Sequence, residues 1–143
     1  LQGQHLLHII LAQIGEFNFA FAEEKSRPKE LDQAMEFRTA YGIQNSLGNR
    51  TMQRDLIVEE FKEFMYAATE EGYEDELKEL ADLVYVAFQY AENMDWDLEE
   101  ALDRVHRSNL SKLGLDGKPI RRPDGKVLKG PKYQPPNLSD LVK

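Results

Sequence analysis

Gly72 divides two helix-length stretches whose acidic residues mirror each other. Upstream, Glu60 and Glu63 stand three residues apart; downstream, Glu79 and Asp82 do the same. Residues three apart on a helix lie on one face, one turn from each other. Glu63 precedes Gly72 by 9 residues and Glu79 follows it by 7, while Glu60 precedes it by 12 and Asp82 follows it by 10. At the rise of an α-helix, that difference in height is only about 3 Å. Folded back about Gly72 as an antiparallel hairpin, the two stretches can bring all four carboxylates to one level.

The neighbours sharpen this expectation. Glu60 lies in line with Ile57 and Phe64, on a face expected to point inward, and Asp82 sits inside the apolar run LADLVYVAF. A carboxylate in such a place needs a cation, a donor or a proton. Four that converge repel one another unless a multivalent cation lies between them, and an all-oxygen donor set suits magnesium or manganese. Solvated helix faces in an acidic protein are the competing reading, and spacing alone leaves the two open. Di-iron carboxylate bundles use Glu-x-x-His on two helices; here Glu63 and Asp82 occupy the i+3 positions, which disfavours iron.

Other chemistries lack their residues. The chain has no Cys, so there is no disulfide framework, thiolate zinc site, iron–sulfur centre or Cys nucleophile. The three histidines are His5, His8 and His106, the last placed for capping or packing late in a helix. Gly-x-Ser-x-Gly, P-loop and Gly-x-Gly-x-x-Gly elements are missing. A metal-activated water is the nucleophile that remains.

Around the hairpin, the pattern Leu31, Ala34, Met35, Phe37, Arg38, Tyr41 predicts a helix from Glu30 to Tyr41 that Gly42 ends. Asn45–Arg50 reads as a loop, with Thr51 capping the second helix. Glu74, Asp75 and Glu76 favour the start of the third helix, which runs to about Met94. Asp97 is expected to cap a fourth, ending near Ser111. Beyond Lys112 the Gly, Pro and two Asp-Gly pairs predict an irregular tail with a short hairpin. The fold expected is all-α: a four-helix bundle with an irregular, partly hairpin C-terminal tail.

Charge is unevenly distributed. The net charge is −8, but residues 1–103 carry 8 basic and 23 acidic side chains, and residues 104–143 carry 10 and 3. The acidic body argues against a nucleic-acid partner, whereas the basic end suits phosphate. Asn109 and Lys112, three apart at the end of the fourth helix, can act together. At the other end, the run Leu6–Phe21 is too short and too polar to span a bilayer. Residues 1–29, which precede the first Met, Met35, read as an N-terminal extension or an extra packing helix, and residues 30–143 as the domain.

Glu60-x-x-Glu63, a gap of 15 residues and Glu79-x-x-Asp82 resemble the signature of the MazG-type all-α nucleoside triphosphate pyrophosphohydrolases. LIVEEFKEF and DELKELADLVYVAF are similar to the metal-binding helices of that superfamily, which includes dimeric dUTPases and phosphoribosyl-ATP pyrophosphohydrolases. VHRSNLSKLGLDGKPIRRPDGKVLKGPKYQPPNL resembles the C-terminal segment of its small phage and bacterial members. The resemblance implies magnesium-dependent hydrolysis of a (deoxy)nucleoside triphosphate to the monophosphate and pyrophosphate, with Mn²⁺ as a possible substitute. It implies Glu60, Glu63, Glu79 and Asp82 as metal ligands, and Glu59 as the acid that places or deprotonates the attacking water. Asn109 and Lys112 match phosphate contacts, and Phe37, Tyr41, Gln44 and Asn45 the base pocket. Further implications are dGTP or dCTP as substrate, a homodimer or homotetramer, a cytoplasmic setting in a bacterium or phage-infected host, and no membrane or specific nucleic-acid partner. Phosphoribosyl-ATP hydrolysis is the alternative activity, and a non-enzymatic helical nucleic-acid-binding module the alternative class.

Overall fold

The computed structural model describes residues 30–142. The expectations for residues 1–29, including the apolar run and His5 and His8, lie outside them. Among the described residues there are four α-helices: α1 (Glu30–Ala40), α2 (Arg50–Glu70), α3 (Tyr73–Asn93) and α4 (Leu98–Leu110). A 3₁₀ turn, Leu47–Asn49, leads into α2. The all-α bundle with an irregular tail is therefore the observed fold.

Each helix end has a local cause. Gly42 adopts φ +63°, and the Ile43 and Gly42 amides donate to Arg38 O (2.8 Å) and Thr39 O (3.2 Å), which satisfies the last carbonyls of α1. The same motif closes α3 with Asp95 at φ +55°: the Trp96 amide donates to Ala91 O (3.0 Å) and the Asp95 amide to Glu92 O (3.1 Å). Asp97 caps α4 as expected, its side chain accepting from the Glu100 amide at 2.9 Å. Thr51 does not cap α2. The chain is already helical at Arg50, because the 3₁₀ turn runs straight into it; the cap belongs to Ser46, whose Oγ accepts from the Asn49 amide at 3.2 Å.

α2 and α3 form the expected hairpin, joined through Glu71 and Gly72. Arg50, at the start of α2, donates through Nε to the Tyr90 hydroxyl near the end of α3 (2.9 Å), which fixes the antiparallel sense. α1 packs on α3. Buried apolar residues are few, and all but Phe88 are small: Ala34, Ala67, Phe88 and Ala91. The small side chains let the helices approach, but much apolar surface stays outside, with Phe61 at 51% and Leu77 at 66% exposure.

The tail is fastened along α4. Ser108 Oγ donates to Gln134 O (2.7 Å), the Gln134 amide to Ser111 Oγ (3.0 Å), and Arg104 to Asn137 O (2.9 Å) and to the Asp140 carboxylate. The Gly130 amide donates to Lys112 O at 2.8 Å, and a Cβ on Gly130 would lie 2.4 Å from Leu113 O. Between these fasteners, Arg121 and Val127 form one antiparallel bridge around Gly125, at φ +85°.

Candidate metal centre

The inward stripe of α2 contains Gln53, Ile57, Glu60, Phe64 and Ala67, none of them exposed. That stripe faces α3, so Glu60 is carried toward Glu79 and Asp82 by the packing of its apolar neighbours. Carboxylate oxygens of Glu60, Glu79 and Asp82 lie within 4.8 Å of one another, and all three residues are half-buried. Burial first, then the charges of Glu63, Asp82, Glu79 and Glu59, push the Glu60 carboxyl above its ordinary range.

Glu63 is not within this tight group; it is exposed one turn along α2. It lies where two open clefts meet. One, about 550 Å³, is lined by Asp55, Val58, Glu59, Lys62 and Glu63. The other, about 320 Å³, is lined by Lys62, Glu63, Tyr66, Glu71 and Glu79. Glu59 thus faces the first cleft, turned about 100° from Glu60 around the helix.

A residue that the spacing argument did not single out sits in the cluster. Lys78 Nζ is 2.8 Å from Glu79 Oε1 and 2.9 Å from Asp82 Oδ2. These bonds push the Lys78 ammonium above its ordinary range and keep it charged. The signal was present as the i, i+4 pair of Lys78 with Asp82. Glu79 Oε2, by contrast, is buried with no hydrogen-bond partner. An orphaned, buried carboxylate oxygen beside two further carboxylates fits a hard divalent cation. Glu60, Glu79 and Asp82 would hold it, with Glu63 beside them.

The remaining predicted site residues fall into two groups. Lys112 Nζ donates to Asn109 Oδ1 at 2.8 Å, so the two side chains are joined at the exposed end of α4. Phe37 and Tyr41 stack with ring centroids 4.5 Å apart, and Phe37 meets Tyr85 edge-on at 5.8 Å. Tyr85 is one turn beyond Asp82 on α3, so the aromatic shelf adjoins the acidic end of the hairpin. Asn45 is engaged internally: its Oδ1 accepts from Arg38 Nε (2.7 Å) and its Nδ2 donates to Glu92 Oε1 (3.3 Å). Gln44 O accepts from Arg38 Nη2 (3.2 Å) and Asn49 Nδ2 (2.8 Å).

The sequence pattern of the phosphoribosyl-ATP pyrophosphohydrolase family matches residues 17–109, nearly two-thirds of the chain and all four acidic positions. No curated protein matches the chain.

Proposed function

The chain belongs to the phosphoribosyl-ATP pyrophosphohydrolase family, a branch of the MazG-like all-α superfamily, and is a hydrolase of phosphoric anhydrides; we propose that it splits a nucleoside triphosphate to the monophosphate and pyrophosphate in a magnesium-dependent reaction. The observation that carries this reading is the Glu60–Glu79–Asp82 cluster with its unpartnered, buried Glu79 Oε2. When bound there, magnesium neutralises phosphate charge and lowers the pKa of water, and manganese can substitute.

The chain's own residues supply the rest. Glu60, Glu79 and Asp82 would hold the cation, with Glu63 beside them as the fourth ligand. Glu59, facing the cleft shared with Glu63, takes the proton of the attacking water. The water oxygen bonds to the α-phosphorus as the bond from that phosphorus to the bridging oxygen breaks, and pyrophosphate leaves with the electron pair. Lys112, oriented by Asn109, offers its ammonium to the phosphates. Phe37 and Tyr41 supply a stacking face for the base, and Gln44 and Asn45 shape the loop beside it.

Phosphoribosyl-ATP is the second reading, favoured by the description of the matching family; the bond broken has the same chemistry. Among deoxynucleotides, dGTP and dCTP are the favoured substrates. The enzyme assembles as a homodimer or homotetramer, which the exposed Phe61, Met65, Leu77, Leu80 and Val84 support. No helix among the described residues is long and apolar enough to cross a membrane.

A panel of ribo- and deoxynucleoside triphosphates together with phosphoribosyl-ATP, each with Mg²⁺ and with products identified, tests this. Pyrophosphate plus a nucleoside monophosphate is the expected outcome. Turnover of phosphoribosyl-ATP alone selects the second reading, and release of inorganic phosphate instead of pyrophosphate overturns both.

A further inference from the structure

The reaction leaves one charged group in the carboxylate cluster without a role. Lys78 is the cation that Glu79 and Asp82 now hold, at 2.8 Å and 2.9 Å. Its side chain is 63% exposed, whereas that of Glu79 is only 14% exposed. The ammonium therefore reaches the two carboxylates from the solvent side, where Asp82 is itself 43% exposed. It is a donor only, and it takes one oxygen from each carboxylate. A divalent cation needs the same electron pairs, and a second positive charge so close would repel it. Lys78 also does not complete the site. It leaves Glu79 Oε2 without a partner and makes no bond to Glu60, whose charge is opposed by three other acidic residues of the site and by Glu59.

Leaving the cluster costs Lys78 little. Its side chain is exposed, and solvent screening weakens both of its ion pairs, that with half-exposed Asp82 more than that with Glu79. Its position on the helix keeps the ammonium near the site once displaced, because Lys78 immediately precedes Glu79 and stands one turn before Asp82.

We propose that Lys78 is a built-in counter-ion of the metal centre: it holds Glu79 and Asp82 together when no divalent cation is bound and is displaced when one binds. Competition from Lys78 sets metal affinity below what the carboxylates would reach alone, so that loading depends on the divalent-ion concentration. The ammonium is a positioning group for the ligands. This inference rests on reading the carboxylate cluster as a metal centre, and the test is arranged to separate the two.

The experiment is calorimetric titration with Mn²⁺ of the full chain, without nucleotide, for wild type, Lys78→Gln, Lys78→Arg and Asp82→Asn, with thermal unfolding of each metal-free protein. Lys78→Gln should bind Mn²⁺ roughly three- to tenfold more tightly, the scale of two exposed ion pairs. Its metal-free form should unfold at a lower temperature than wild type. Lys78→Arg, which keeps the charge, should stay near the wild-type affinity. A lysine that only supported the fold would give the same loss of stability in Lys78→Gln but with equal or weaker Mn²⁺ binding, and that result overturns the proposal. If wild type and Asp82→Asn bind Mn²⁺ alike, the metal-centre reading itself fails.

Discussion

Arg38 and Glu79 both place charge against α3, near its opposite ends, and they are treated in opposite ways. Arg38 is 2% exposed and surrounded by oxygens: Asn45 Oδ1 at 2.7 Å, Asn93 Oδ1 at 2.8 Å and Gln44 O at 3.2 Å. Glu92 adds a favourable charge against the desolvation that draws Arg38 below its ordinary range. Asn93 in turn donates to Ser46 O (2.9 Å) and accepts from the Ser46 amide (3.2 Å), so this end of α3 is stitched to the loop before α2. At the other end, Glu79 faces Glu60 and Asp82, like charges with only Lys78 between two of them. The first arrangement offsets most of the cost of burial inside the molecule, leaving Arg38 Nη1 without a partner, and gains a fixed loop. The second leaves the cost standing, and a group from outside must offset it. That difference separates residues that fold this chain from those proposed to serve its chemistry.

The contrast breaks most sharply at the acidic end. Asp82→Asn or Glu63→Gln should lower pyrophosphate release by about 10³-fold, on the scale of losing one preorganised charge at a reacting centre. Helical circular dichroism should be unchanged, because neutralising one of several like charges relieves repulsion. Near-wild-type turnover at saturating Mg²⁺ in both variants would contradict the assigned site.

The Arg38 end should behave oppositely. Arg38→Met is expected to lower unfolding free energy by about 3 kcal/mol, because it removes three hydrogen bonds from a charged donor, the one to Asn93 in a buried place. Urea denaturation measures it, and a loss below about 1 kcal/mol would mean the network is not a stability element. Smaller again, Lys112→Ala should reduce kcat/KM about tenfold through both a raised KM and a lowered kcat, since a cation on the phosphates acts in ground and transition states. Asp97→Ala, away from the carboxylate cluster, removes the α4 cap and should cost about 1 kcal/mol with kcat preserved.

The smallest effect is in pH. With Glu60 held above its unfolded value, the native protein binds more protons than the unfolded chain between those two values. Metal-free stability should therefore rise as pH falls from neutral through the folded Glu60 value, and level off below the ordinary carboxylate range. Asp140 and Asp124, held low first of all by their bonds to Arg104 and Arg122, act the other way at still lower pH. Glu60→Gln should remove the rise. A melting-temperature series without metal reads it out, and an unchanged slope in the variant would place the titrating group elsewhere.

Much of this was legible in the sequence because it is local. Helical period, Gly42, the acidic start of α3 and Asp97 each act within a turn or two, and the hairpin followed from equal distances about Gly72. The misses have physical reasons. Thr51 has a cap's chemistry, but Ser46 lies one 3₁₀ turn earlier and starts the helical path first. Asp95 closes α3 in a left-handed conformation that glycine usually marks. The partners of Asn45 and Arg38 include residues 47 and 55 positions away, beyond any spacing rule. Lys78 does not emerge from the spacing of like charges, although its i, i+4 relation to Asp82 is visible in the sequence. Glu63 was expected level with the other three carboxylates, yet it stands exposed beside them, since the inward stripe of α2 runs through Glu60, Phe64 and Ala67.

The seating of the tail divides it into stretches that tolerate editing and stretches that do not. No side chain fits at Gly130, where a Cβ would meet the Leu113 carbonyl, and the backbone at Gln134 and Asn137 is held by Ser108, Ser111 and Arg104. The turns at Gly117 and Gly125 lie between fasteners, and a Cβ there meets nothing within 4 Å. Added length at those two turns projects into solvent without shifting the anchors. A short epitope or a fluorophore-accepting loop spliced in after Gly125 would therefore report on the enzyme from outside, whereas the same insertion at Gly130 would unseat the C-terminal third of the tail from α4.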